Sequence, residues 1–319
     1  MDGTRTIVAA VVGIDGSGKS SAFRGALDRL ADSTDVVGIG DAFLAAAPGV
    51  PLHSRTDLLW ERPAALAARL AKRTTQPLVY RQLKTLDLIA RSRMRDQVVK
   101  DEQPDVLLTD GDPLVNTLAW SVGRLYRDQL ADDDRRILDA LAYLSGQARI
   151  PRSELPYYLR HAWQLALVNR LTPFSFPMPD LVVLLRIAGA SAMERVRRRG
   201  RALQAHETVG ALDALGAGYE RICGLIEAHY GVDVVRIPAT ATDREMTADL
   251  VAQAVLERVP EPRVTRVGVP DAPAIEVVAT TISGSLQDQR KIGRIVPQFA
   301  LRTRRPARLH AVDSHAEAE

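Results

Sequence analysis

The run Gly13-Ile14-Asp15-Gly16-Ser17-Gly18-Lys19-Ser20 limits what this chain can fold into more than any other part of it. Three glycines within six residues allow a turn with dihedrals closed to other residues, and such a turn points successive N–H groups inward as a nest for an anion. The run fits GxxxxGK[ST], and its flanks fit too: the apolar stretch Ile7 to Val12 reads as a buried strand and Ser20 to Leu30 as a helix. A helix beginning near Lys19 would add its positive end at the same point. Lys19 is then expected at the β- and γ-phosphates of a nucleoside triphosphate and the Ser20 hydroxyl on Mg²⁺, with Gly13, Asp15, Gly16, Ser17, Gly18 and Ser21 completing the cradle. The alternative is a chance glycine-rich turn.

Four more apolar runs follow: Val36 to Ile39, Val106 to Leu108, Leu181 to Leu185 and Val234 to Ile237. Their near-continuous apolarity suits strands covered on both faces of a parallel sheet. Helical spacing runs through Ser20–Leu30, Ala64–Lys72, Leu83–Val99, Asp132–Leu144, Ser191–Arg199, Ala211–Ala228 and Thr242–Arg258. The alternation predicts an α/β fold with a parallel sheet sandwiched by helices and right-handed crossovers. The interval 111–179 is too long for one crossover and carries Trp120, Tyr126, Tyr143, Tyr157, Tyr158 and Trp163, so it is read as a helical cap.

Pro260, Pro262, Pro270 and Pro273 mark a boundary after a body of residues 1–258. Residues 259–319 form a Pro- and Arg-rich C-terminal extension, read as partly disordered, with one strand possible over Ile275–Ile282. Arg290 to Arg308 holds seven basic residues and no acid, either a solvated tail or a contact for an anionic partner.

Composition narrows the classes. Lys and Arg total 42 against 39 acids, and a net charge of +3 is too small to make nucleic acid the expected partner. The single cysteine, Cys223, excludes an internal disulfide framework and a cysteine zinc cage, and reads as a small buried hydrophobe. The six His show neither HxxxH nor HExxH spacing. No segment approaches the ~20 apolar residues of a membrane helix, and no cleavage-like site follows the first apolar run, so a cytoplasmic protein is expected.

Two further constellations carry chemistry. The third apolar run leads into Asp110-Gly111-Asp112. A carboxylate at the end of a strand beside the glycine loop suits Mg²⁺ or a substrate hydroxyl, whereas Asp-Gly-Asp-Pro is also strong turn chemistry. Arg195, Arg197, Arg198, Arg199 and Arg201 straddle Gly200. They read as a clamp for transferring phosphates, with Arg195, Arg199 and Arg201 favoured, or else as a solvated basic helix end.

Assembled, these residues resemble the thymidylate kinase family of P-loop nucleotide kinases. The carboxylate at Asp15 within the loop is shared, Pro179 to Leu185 is similar to that family's fourth strand, and Met193-Glu194-Arg195 to Arg201, Glu207 and Gly218-Tyr219 follow its lid and the helix behind it. The resemblance covers about residues 5 to 258. It implies a five-stranded parallel sheet, ATP and Mg²⁺, a lid over 193–207, an acceptor pocket beside Asp15 and often a homodimer. The departures lie on the acceptor side. The family's Asp-Arg-Tyr or Asp-Arg-His element is Asp110-Gly111-Asp112 here, its Arg-Glu-Pro-Gly run is replaced by Gly40-Asp41-Ala42-Phe43, and its helix arginine is matched by Arg91 or Arg93.

The expected activity is therefore in-line transfer of the γ-phosphoryl group of ATP to a nucleotide, nucleoside or other small acceptor. Lys19, Asp15, Asp110 and the lid arginines are its candidate catalytic groups; Asp15, Asp41, Arg91 and Asp112 are candidate acceptor contacts; Ser20 and Asp110 are candidate metal ligands. The competing reading is a nucleotide-binding regulatory or scaffold module that transfers nothing. Trp60-Glu61-Arg62 lines the acceptor site or starts a helix, and Tyr157, Tyr158 and Trp163 stack on a base or form the core of the cap.

Overall fold

Apolar runs that cannot alternate between core and solvent must be covered on both faces, and helices supply that cover here. The computed structural model describes residues 5–40, 45–46, 61–74, 77–122, 133–161, 166, 175–200, 207–240 and 242–259. Five strands pair in parallel: β1 (Ile7–Gly13), β2 (Val36–Ile39), β4 (Val106–Asp110), β5 (Leu181–Arg186) and β6 (Asp233–Pro238). The two-residue β3 (Ala45–Ala46) adds an antiparallel edge to β2. The order across the sheet is β3-β2-β4-β1-β5-β6, which places β1 at the centre. Ala9 of β1 stands beside Leu108 of β4 on one side and Leu181 of β5 on the other.

One face is covered by α1 (Lys19–Leu30) and α9 (Arg244–Leu256), whose Phe23, Leu27, Val251 and Val255 pack on Ala9, Val11, Val183 and Leu185. The opposite face, with Ala10, Val12, Val182 and Leu184, receives α4 (Pro113–Val122), α5 (Asp134–Ser145) and α8 (Val209–Tyr230). The hairpin of α2 (Glu61–Arg73) and α3 (Pro77–Asp101) flanks β2 and β4, with Met94 and Val98 against Val37 and Leu107. Two shorter helices, α6 (Leu155–His161) and α7 (Gly189–Arg198), complete the described elements.

The expected strands and helices stand within a few residues of their sequence bounds, except that α3 begins at Pro77 and not at Leu83. The interval read as a cap does hold helices, α4 to α6. Tyr158 is fully buried, edge-on to Tyr143 and Tyr157 with centroids 5.4 and 5.3 Å apart, so Tyr158 belongs to the core and Tyr157 packs half-buried against it. Cys223 is buried within α8. No helix among the described residues is long and apolar enough to cross a membrane. The chain divides into Met1–Arg263 and Val264–Glu319. The extension from 260 onward lies outside the described residues, as do Asp41, Trp60, Tyr126, Trp163 and Arg201.

The start of α4 shows how the sequence holds this body together. Asp112 accepts from the Leu114 and Val115 amides at 2.9 and 3.0 Å, and Pro113 in the first helical position has no N–H to satisfy. The other Asp112 oxygen pairs with Arg95 of α3 at 3.4 Å, and Arg95 donates to the Met178 carbonyl at 3.0 Å. One carboxylate thus ties α3, α4 and the approach to β5 together. Burial pushes the Asp112 carboxyl above its ordinary range, while Arg95 and the two amides oppose that shift. Asp112→Ala leaves the Arg95 guanidinium buried without its partner, and we expect it to lower stability by about 3–5 kcal/mol, read as a fall in the urea midpoint.

Candidate functional site

A parallel sheet brings the carboxyl ends of all its strands to one edge, and the glycine loop leaves β1 at the middle of that edge. Gly13, Gly16 and Gly18 have φ of +147°, +84° and +95°. The Ser17 amide donates to the Ile14 carbonyl at 3.2 Å, and the Ser21 and Ala22 amides donate to the Gly18 carbonyl, opening α1. A Cβ on Gly16 would run into the backbone of Ala192, whose carbonyl carbon would lie at 3.0 Å. The first turns of α7 therefore press directly on the loop, and only glycine fits there.

Within this turn the Ser17 hydroxyl is buried and has no hydrogen-bond partner. The Lys19 ammonium folds back to donate to the Ile14 carbonyl at 2.8 Å. Ser20 is exposed in the first turn of α1, with Ser21 and Asp15 half-buried. A loop of this shape, with inward amides, an unengaged hydroxyl and an ammonium at its rim, is chemically suited to a phosphate chain.

Asp110 ends β4 beside β1, opposite Val11, and the following Gly111 amide donates to the Val11 carbonyl at 2.9 Å. A chain of contacts links α8, α4, α3 and the end of β4. The Tyr219 hydroxyl of α8 donates to Asn116 Oδ1 of α4 at 2.9 Å and receives the Trp120 indole N–H. The Lys84 ammonium of α3 lies 5.3 Å from the centroid of the Trp120 ring. Lys84 pairs with Asp87 at 2.7 Å, and Asp87, with no exposed surface, also pairs with Arg91 Nε at 3.3 Å. Arg91 Nη1 donates to the Asp110 carbonyl at 3.3 Å. Burial first, and then the charge of Asp15 with a smaller contribution from Asp110, hold the Tyr219 phenol protonated far above its ordinary range.

Several of these residues escaped the sequence reading. Asn116, Lys84 and Asp87 were not singled out, and Trp120 entered only as one aromatic of the cap. The available signal was charge spacing: Lys84-Asp87 at i,i+3 and Asp87-Arg91 at i,i+4 on a helix that turns this face inward. Arg91, one of the two candidates for the helix arginine, reaches the backbone carbonyl of Asp110. Asp112 is 1% exposed and engaged with the α4 amides and Arg95, which is the turn reading of Asp-Gly-Asp-Pro. Arg93, the other match for the family's helix arginine, pairs with Asp96.

The arginines of 195–201 separate. Arg195 reaches across to the Ala239 carbonyl at 2.8 Å, in the loop after β6. Arg198 pairs with Glu194 on its own helix, while Arg197 and Arg199 are exposed at its end. The N-terminus of α7 is held by Asp213 of α8, which accepts from the Gly189 amide at 2.6 Å. Between α8 and the ends of β5 and β6 lies a cavity of about 410 Å³, bordered by Ile14, Arg186, Asp213, Tyr219 and Thr240.

No protein-family model matches the chain, and no curated protein matches it. Solved structures do. Deoxyadenosine kinase from M. mycoides with products dCMP and a flexible dCDP bound is 14% identical over 79% of this chain and 100% of its own, with a TM-score of 0.43. With dATP bound, the same kinase is 16% identical over 78% of this chain and 100% of its own, at 0.39; with dCTP the values are 15%, 79%, 100% and 0.41. These likenesses are of fold alone, and none singles out the thymidylate kinases. The glycine loop at the carboxyl end of a central parallel strand, with β4 and β5 on either side of it, gives this chain a P-loop α/β fold.

Proposed function

We propose that the protein is an ATP- and Mg²⁺-dependent phosphotransferase that moves a γ-phosphoryl group to a small acceptor between Asp15, Asp110 and Tyr219. The observation that carries this reading is the loop itself: a glycine nest with the buried, unengaged Ser17 hydroxyl inside it and Lys19 at its rim. The amide N–H groups and the Ser17 hydroxyl are set to meet a triphosphate tail before the ligand arrives, and the Lys19 ammonium is near enough to join them.

Among the described residues no three His, Cys, Asp or Glu side chains cluster to form a metal cage of their own. Mg²⁺ binds few protein oxygens and relies on substrate phosphates and water for the rest, so one hydroxyl and one carboxylate are donors of its kind. Ser20 and Asp110 would hold it, and bound there it would neutralise charge on the β- and γ-phosphates. Lys19 has to leave the Ile14 carbonyl and swing to the phosphates, a short move for a flexible four-carbon stem. Arg199 and Arg201 are the lid cations that this reading brings over the transferring group. Arg195, tied to the Ala239 carbonyl, would anchor the lid helix beside the nucleotide. Asp15 and Asp110 would orient the acceptor and receive its proton.

Lys19→Ala should reduce turnover by on the order of 10²–10³-fold with the urea midpoint nearly unchanged, and a variant that keeps most of the wild-type rate would count against the scheme. The assay is ATP consumption against nucleoside monophosphates including dTMP, nucleosides and small alcohols. Gly16→Ala should abolish the heat of ATP binding in calorimetry with Mg²⁺ present, because the added methyl and Ala192 cannot share the same space. ATP binding at wild-type affinity by that variant would show that the loop is not the nucleotide site.

A further inference from the structure

The part of α7 that touches the glycine loop is its first turn: Gly189 opens the helix, and Ala192 lies against Gly16. A first turn carries N–H groups that no carbonyl of its own helix can satisfy, so it frays unless something caps it. The local sequence supplies no cap. Ala188 stands at the capping position and has no side-chain oxygen to offer.

The cap comes from another helix. Asp213 of α8 accepts from the Gly189 amide at 2.6 Å. Its own helix does not need it, because Thr208 caps the start of α8 through the Ala211 amide at 3.3 Å. Among the described residues no cation pairs with Asp213, so its charge serves the positive end of α7. Gly189 is fitted to this contact. Its φ is not in the left-handed region, yet a Cβ there would lie 2.5 Å from Asp213 Oδ1 and 2.7 Å from the Val209 carbonyl oxygen. Space, and not backbone conformation, requires glycine at this position.

The Asp213 contact and the Gly16 contact therefore belong to a single helical turn, which the Ala192 amide closes on the Ala188 carbonyl at 2.9 Å. Further along, Arg195 is tied independently to the Ala239 carbonyl. Releasing Asp213 frees the end of α7 that touches the loop and leaves the other end anchored. The loop amides then lose the backbone on which Gly16 rests, and a phosphate chain has to order them at a cost in affinity. Asp213 itself is exposed beside the cavity of about 410 Å³, so water can reach a freed Gly189 N–H and the body can fold without this carboxylate.

We propose that Asp213 is a positioning residue for the triphosphate: it caps α7 from α8, holds the first turn of α7 on Gly16 and so keeps the loop amides set for phosphate. The inference rests on the nucleotide reading above. In this role Asp213 acts through α7 and Gly16 and not on the ligand itself.

The test uses the full chain with Mg²⁺. Calorimetry reads the binding of a non-hydrolysable ATP analogue and of inorganic tripolyphosphate, which probes the loop without a base. Asp213→Ala should weaken both ligands about tenfold, on the scale of a lost helix cap. Asp213→Asn keeps an oxygen for the Gly189 amide and should stay within about threefold of wild type. Gly189→Ala displaces the same contact from the other side and should match Asp213→Ala. A merely structural role would lower the urea midpoint without this order among the variants or this equal loss for the two ligands. The wild type supplies a check that needs no variant to fold: hydrogen exchange at Gly189 and Ala192 should slow together with that at Gly16 and Gly18 when tripolyphosphate binds. Unchanged affinity in Asp213→Ala, an equal loss in Asp213→Asn, a loss confined to the ATP analogue, or slowing at the loop with none in α7 overturns the inference. Failure of the nucleotide reading shows differently, as a wild type that binds neither ligand.

Discussion

The contact between α7 and the glycine loop governs how this edge of the sheet is built. At Gly16 the backbone of one element meets the backbone of another with no side chain between them. So close an approach is possible because β1 and β5 are neighbours and both run to the same edge, one feeding the loop and the other feeding α7. Asp213 then fixes the start of α7 from α8, and Arg195 fixes its end to the loop after β6. Any movement of α7 is therefore felt at the loop, and through Asp213 by the helix that carries Tyr219. This coupling is short-range packing, and it needs no element beyond those that the parallel sheet already places together.

The second organising feature is charge buried along α3. Carboxylates and guanidinium groups taken out of water are costly unless they are paired and hydrogen-bonded, and replacing such pairs with apolar groups often leaves stability unchanged or improved. Their value here is in placement. Asp87 with Lys84 and Arg91, and Asp112 with Arg95, bind one face of α3 to the end of β4, to the start of α4 and to the segment entering β5.

How much of this could be read from the chain depends on the range of the interaction. The loop is legible because its requirements are local: glycines at three spacings, a lysine, a hydroxyl, a strand before and a helix after. The five parallel strands are legible because burial on both faces leaves an unbroken apolar run. β3 was not, since two residues show no period, and α4 was hidden because Asp112-Pro113 signals a turn and a helix cap alike. Asp87 gave only ordinary helical charge spacing, which marks a solvated face far more often than a buried one. Spacing favoured Arg195, Arg199 and Arg201 among the five arginines, yet Arg195 reaches a carbonyl in the loop after β6 and Arg199 stands exposed with Arg197.

By itself, the sequence determined that a glycine nest stands between a buried strand and a helix in a parallel α/β body, because backbone dihedral needs and apolar periodicity are written within a dozen residues. Tertiary structure alone decided which charges neutralise one another. Lys84, Asp87, Arg91, Asp110, Asn116, Trp120 and Tyr219 come from three helices and a strand, and electrostatic pairing depends on distance through space, which no spacing along the chain specifies.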